Sequence, residues 1–167
     1  MTPYKDIFLA LNRAKVRYLV AGGVAVNLHQ ITRATVDLDL IVHLEKENVL
    51  RFVGVMKDLG FVPKVPVAPE DFSDEEKRNS WIIEKNMVVF SFVNAVNQVE
   101  VVDVFVREPV PFEEAYGRRK DAEAFGTVVP VLGIEDLLSL KTAAGRDKDL
   151  YDIKLLRKKH EQEDPSN

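Results

Sequence analysis

Apolar positions along the chain follow two periods, and the switches between them mark the elements. Tyr4, Ile7, Phe8 and Leu11 recur at three- and four-residue spacing. That predicts an amphipathic helix over residues 3–14, with Thr2 as N-cap and Pro3 at its first position. A continuous apolar run then predicts a buried strand over 17–21, stopped by Gly22-Gly23 and followed by a helix over 24–30. The mostly polar stretch Gln30 to Ala34 leads into a second strand, 35–43. Val49, Phe52, Val53, Met56 and Leu59 line one face of a helix that Glu45 and Glu47 begin and Gly60 ends. Phe61 to Lys64 reads as a short edge strand, and Val65 to Phe72, with Pro66 and Pro69, as a loop. Ser73 and Glu76 have capping-box spacing, predicting a helical turn near 74–80. The runs Trp81 to Val93 and Val99 to Val106, joined by Asn94 to Gln98, predict an antiparallel hairpin. Beyond Pro109 and Pro111 come a helix over 111–120, a strand over 127–132, helices near 134–143 and 147–160, and a frayed tail from Glu161.

This order predicts an α/β (α+β) fold: a small mixed sheet flanked by helices, with a short C-terminal helical portion. At 167 residues the chain reads as a single domain, 1–167, with a core over 1–132 and the helical portion over 133–160. Apolar residues make up 46% and charged residues 30%, which excludes a disordered chain. A net charge of −4 gives no global attraction to polyanions, so any such site must be a local basic patch. The absence of cysteine excludes disulfides, zinc–thiolate sites and thiol nucleophiles. No signal-type h-region or membrane-length apolar run is present, so the expectation is a cytoplasmic protein with no membrane partner.

The expensive feature lies in the second strand. Asp37 and Asp39 point to one face, their Cα atoms about 6–7 Å apart, while Leu38 and Leu40 point to the other. Like charges in an apolar strand repel and lose hydration unless a cation compensates, and paired carboxylates at this distance suit hard divalent ions. Asp103 is a third carboxylate in an apolar strand, sharing a face with Val101 and Phe105. Spacing alone does not place its strand beside that of Asp37 and Asp39. Each aspartate could instead be an exposed residue on a sheet face or half of a buried ion pair. His29, His43 and His160 have no joint metal-ligand spacing, and Arg118-Arg119-Lys120 and Arg157-Lys158-Lys159 read as solvated helix faces.

The combination Gly22-Gly23, Asp37-x-Asp39 and a distant Asp103 resembles the polymerase-beta-like nucleotidyltransferase superfamily. Arg33-Ala34-Thr35-Val36-Asp37-Leu38-Asp39, and the tail running from Glu135-Asp136-Leu137-Leu138 through Lys141 to Arg146-Asp147-Lys148-Asp149-Leu150-Tyr151-Asp152, are similar to its abortive-infection type E toxin (AbiEii-like) branch. The resemblance implies a polymerase-beta-like fold and transfer of a nucleoside monophosphate from an NTP to a hydroxyl, with two Mg²⁺ ions (or Mn²⁺) held by Asp37, Asp39 and Asp103. It implies nucleotide contacts from Gly22, Gly23, Arg33, Lys141 and Lys148. The acceptor it implies is a tRNA, a protein or a small molecule, and the further partners an antitoxin or a second copy of the chain. Arg146 with Asp149, and Lys148 with Asp152, also have the spacing of surface ion pairs. The rival reading is a catalytically silent nucleotide-binding or partner-binding module of the same fold.

Overall fold

The computed structural model describes residues 4–164, so Thr2, Pro3 and the last residues of the tail lie outside it. A mixed seven-stranded sheet is the frame, in the order β3-β4-β5-β2-β1-β7-β6. Its strands are β1 (Tyr18–Ala21), β2 (Leu38–Val42), β3 (Phe61–Pro63), β4 (Val89–Asn94), β5 (Val101–Phe105), β6 (Lys120–Ala124) and β7 (Thr127–Val131). The helices are α1 (Tyr4–Arg13), α2 (Gly22–Leu28), α3 (Lys46–Asp58), α4 (Glu75–Lys85), α5 (Phe112–Gly117), α6 (Ile134–Ala144) and α7 (Asp147–Glu163). β1 runs antiparallel to β2, and β2 runs parallel to β5. β4 and β5 form the expected antiparallel pair, and β3 is an edge strand as its sequence suggests.

Alternation decides which side of the sheet is covered. Leu38, Leu40, Val102, Val104, Phe90 and Phe92 point to one side and are almost fully buried. There Phe52 of α3 meets Phe92 edge-on at 5.6 Å, and Phe72, in a 3₁₀ turn over Pro69–Ser73, packs on Phe90 at 5.2 Å. The opposite side of β4, β5 and the start of β2 carries Ser91, Asp103 and Asp39, all only half-buried. β4 and β5 pair antiparallel, and antiparallel sheets commonly cover one face and leave the other solvated; the same face stays open along the start of β2, which leaves the carboxylates accessible.

Several expectations need correction, among them the frayed tail from Glu161, since α7 continues to Glu163. Residues 81–85 are helical: Asp74, not Ser73, caps α4 by accepting from the amides of Glu76 at 2.9 Å and Lys77 at 3.3 Å, and Asn86 ends the helix in the left-handed conformation at φ 50°. The β-branched run misled because its residues lie around the helix: Trp81 packs on Phe90 while Ile83 is exposed. β6 was not expected; its Lys-Asp-Ala-Glu-Ala sequence has little strand preference. It forms because Phe125 and Gly126, at φ 56° and 77°, make a two-residue hairpin turn onto β7, and its charges suit an edge. α2 begins at Gly22 instead of residue 24, and Asp37 stands in a bend one residue before β2 rather than within it. No described helix is long and apolar enough to cross a membrane.

Candidate active site

Strand register assembles the site. Asp39 of β2 lies directly opposite Asp103 of β5, and Asp103 directly opposite Ser91 of β4. On the other side Asp39 is opposite Ala21, after which the chain turns into α2. The three aspartates are thus brought to one end of one sheet face, an adjacency the sequence left open. Neighbouring strands are about 4.8 Å apart, so Asp39 and Asp103 are within reach of a shared ion.

The two glycines are fixed by this crowding. Gly22 has φ +62°, and a Cβ there would lie 1.9 Å from Oδ2 of Asp39. A Cβ on Gly23 would lie 2.1 Å from Nη1 of Arg33 and 2.6 Å from Oγ1 of Thr35. Close approach of site side chains, besides any approach of a ligand, therefore requires both positions to be bare.

Electrostatics mark the carboxylates as uncompensated. Burial, then the neighbouring charges of Asp103 and Asp37, push the Asp39 carboxyl up to about 6, against the pull of Lys141 and Lys148. Asp103 is raised by burial and by Asp37, while a hydrogen bond from Ser91 and the charge of Lys64 oppose the rise. Ser91 Oγ donates to Asp103 Oδ1 at 2.5 Å, leaving Oδ2 free of that bond. Asp37 is exposed; the Tyr4 hydroxyl, which donates to the carbonyl of Val36, is raised by burial and by the charges of Asp37, Asp39 and Glu100. Tyr4, Val36, Asn94, Glu100 and Val101 help line a cleft of about 500 Å³ beside this end of the sheet.

A second set of carboxylates sits on α7 and is handled in the opposite way. Asp149 and Asp152 are wholly buried. Lys141 of α6 donates to Asp152 Oδ2 at 2.9 Å and lies 3.7 Å from Asp149 Oδ1. Arg33 reaches Asp152 Oδ1 at 2.8 Å, and Arg146 donates from Nε to Asp149 Oδ2 at 2.7 Å. Burial would raise Asp149, but the Arg146 bonds more than offset it and hold the carboxyl low.

The expected Arg146–Asp149 pair is present, although its acid is buried, whereas Asp152 pairs with Lys141 and Arg33 rather than with Lys148. Lys148 is exposed and forms no ion pair among the described residues. Arg33 and Lys141 are thereby tied to α7, and Lys141 still acts on Asp39 through its charge. Sequence reasoning missed Ser91 and Lys64. Ser91 had a signal: a lone hydroxyl between Phe90 and Phe92, on the strand expected to pair with that of Asp103.

Among the described residues, no group of three or more His, Asp or Glu side chains is placed to hold a metal ion by itself. The donor set nevertheless fits a hard cation, being all carboxylate oxygen and short of positive charge. A site of this kind can hold an ion only in partnership with water or with a substrate's oxygens.

Comparison with known proteins agrees with this architecture. The lincosamide antibiotic adenylyltransferase LnuA, solved with lincomycin bound, superposes with a TM-score of 0.61 at 14% identity, over 94% of this chain and 97% of that one. The antibiotic-resistance factor ANT(2″)-Ia in solution gives 0.59 at 16% identity, over 92% and 79%. A Thermotoga maritima protein assigned as a candidate nucleotidyltransferase gives 0.56 at 16%, over 92% and 88%. At these identities the likeness is one of fold. No curated protein sequence matches the chain. The family model for the nucleotidyl transferase AbiEii toxin of type IV toxin–antitoxin systems, however, matches residues 9–166. With that match spanning nearly the whole chain, on a fold shared with nucleotidyltransferases, the protein belongs to the AbiEii nucleotidyl transferase toxin family.

Proposed function

We propose that this chain transfers a nucleoside monophosphate from an NTP to an acceptor hydroxyl, as a toxin whose activity an antitoxin opposes in the cytosol. The observation that carries the reading is the direct opposition of Asp39 and Asp103 on an open sheet face, with Asp39 held up near 6 and in no ion pair among the described residues. In the reaction the acceptor oxygen attacks the α-phosphorus, the bond to the β-phosphate oxygen breaks, and pyrophosphate leaves. The hydroxyl proton passes to a carboxylate or to water.

Asp37 and Asp39 would hold two Mg²⁺ ions (or Mn²⁺) against the triphosphate, and Asp103 would share the ion on the acceptor side. When bound, such ions neutralise the charge developing on the attacking and leaving oxygens. Gly22 lets the turn into α2 close over Asp39, so the triphosphate is met by backbone rather than side chain. Lys148, exposed and in no ion pair among the described residues, is a cation free to meet the outer phosphates. Lys141 contributes field from its buried place between Asp152 and Asp149, and Arg33 orients the connection into β2. Among the structural neighbours, one is named a lincosamide antibiotic adenylyltransferase and another is solved in complex with adenylyl-2″-tobramycin; the acceptor class of this chain is a separate question.

The test supplies each NTP, labelled at the α-phosphate, with Mg²⁺, total RNA and cell extract. Wild type is compared with Asp37→Ala and Asp103→Ala. Label transfer that both substitutions abolish is the expected result. Folded wild-type protein that binds no triphosphate with Mg²⁺ would remove the reading.

A further inference from the structure

The chemistry lies along one rung of the sheet, and that rung extends past the aspartates. Starting from the Gly22 turn, it runs through Asp39 on β2, Asp103 on β5 and Ser91 on β4. Its outer end is Lys64, whose amide donates to the Ser91 carbonyl at 2.9 Å, continuing the pairing of β3 with β4. Lys64 is exposed and is in no ion pair among the described residues. The two ends of the rung are electrically distinct. Lys141 and Lys148 act on Asp39, whereas Lys64 is the cation that acts on Asp103.

In-line displacement gives these ends different jobs. The attacking hydroxyl must approach the α-phosphorus from the side opposite the departing pyrophosphate. If the outer phosphates lie toward Gly22 and Lys148, the acceptor comes across Asp103 and Ser91 from the β3–β4 side. The residue it then meets is Lys64. A lone unpaired ammonium there repels a cationic acceptor and attracts an anionic one.

We propose that Lys64 is a specificity-determining residue on the acceptor side of the site, binding a phosphate that neighbours the acceptor's reacting hydroxyl. The inference rests on the nucleotidyl-transfer reading and names the acceptor chemistry: a hydroxyl flanked by phosphate. A nucleic-acid 3′ end and a free nucleotide both offer it. Ser91 has a supporting part, since its bond holds Oδ1 of Asp103 and leaves Oδ2 free of that bond.

Binding is measured on the full chain, with Ca²⁺ replacing Mg²⁺ to prevent turnover. The probes are a short single-stranded RNA carrying a 5′ fluorophore and a free 3′ hydroxyl, and AMP as its competitor. Each NTP is titrated separately. Wild type should bind RNA, Lys64→Ala should weaken binding about threefold to tenfold, and Lys64→Glu should weaken it further. Lys64→Arg should restore it, and the slope of log affinity against log salt should fall by about 0.7 in Lys64→Ala, the loss of one single-strand phosphate contact. NTP affinity should stay within twofold throughout. Competition by AMP that also depends on Lys64 assigns the phosphate to a free nucleotide, and its absence assigns it to the strand. Binding of neither probe, or RNA binding with unchanged affinity and salt slope in Lys64→Ala and Lys64→Glu, overturns the proposal while NTP binding is retained. Loss of NTP binding by wild type itself is instead the failure of the underlying reading.

Discussion

Removing the charge of Asp39 should stabilise the metal-free protein while ending its activity. The carboxyl moves from 3.8 to about 6 on folding. At about 1.36 kcal/mol per unit, the difference of about 2.2 corresponds to at most about 3 kcal/mol. Asp39 is only half-buried, so water reduces the cost to roughly 1–2 kcal/mol. The sign follows from proton linkage. A group whose folded value is raised favours the fold below its unfolded value and loses that contribution as pH climbs through the folded one. The cost is therefore absent only below the unfolded value of 3.8, small near pH 4 and nearly complete above pH 6 to 7. Asp39→Asn, which keeps the shape without the charge, should melt roughly 2–8 °C higher than wild type at pH 7.5 in EDTA. The gap should narrow to roughly a third as the pH is lowered to 4.5. Adding Mg²⁺ with an NTP should then raise the wild-type melting temperature and leave the variant unmoved. Thermal melts followed by circular dichroism at both pH values read all of this. A variant no more stable than wild type at pH 7.5 without metal would refute the claim that the carboxylate is an uncompensated charge.

Other substitutions probe the neighbours. Gly22→Ala forces a Cβ onto Asp39 at a positive φ; it should cost about 1–3 kcal/mol in urea denaturation and abolish nucleotidyl transfer, and full activity would show that the crowding is not needed. Asp152→Ala leaves Lys141 and Arg33 without their buried acid and should destabilise by about 3–5 kcal/mol, read as a lower urea midpoint at unchanged slope. Ser91→Ala removes one hydrogen bond at a stability cost of about 1 kcal/mol. It also lets Asp103 rise further, so Mg²⁺-induced stabilisation should weaken more at pH 6 than at pH 8, with Ser91→Thr close to wild type.

Much of the frame was legible because it depends on local periodicity. The strands holding Asp39 and Asp103 could be read from apolar runs, and the helices from three- and four-residue spacing. Residues 81–85 failed because Trp81, Ile82 and Ile83 carry strand-favouring side chains, yet capping by Asp74 and packing on Phe90 outweigh that preference. β6 was hidden because an edge strand needs no apolar alternation; its partner β7 supplies the pairing. At the site, Asp39 and Asp103 could be picked out as costly residues in apolar strands, whereas Asp37, read as part of the same strand, stands exposed in the bend before it. Their meeting could not, since a parallel pairing across more than sixty residues of chain leaves no local trace. Lys64 stayed invisible for the same reason. A single exposed lysine acquires meaning only when β3, β4, β5 and β2 line up to place it at the end of the rung.

The contrast between the two carboxylate sets argues most strongly against a purely structural origin for the acidic face. Asp149 and Asp152 are wholly buried, and the chain answers them with Lys141, Arg146 and Arg33 at 2.7 to 2.9 Å. Where a charge serves the fold, it is neutralised within the fold, as the cost of burying ions demands. Asp39 and Asp103 share a strand register and repel each other, yet the nearest cations act on them only through space, while Ser91 is the one side-chain donor offered to Asp103 among the described residues. Lysine and arginine are at hand on α6, α7 and the Arg33 connection, so the omission is not one of supply. Leaving the pair bare lowers the stability of the free protein and raises its affinity for whatever brings positive charge. A substrate that arrives with its own divalent ions recovers that energy on binding. A structural ion would recover it too, but it would give Gly22 no reason to yield its side-chain space to a carboxylate on the open face.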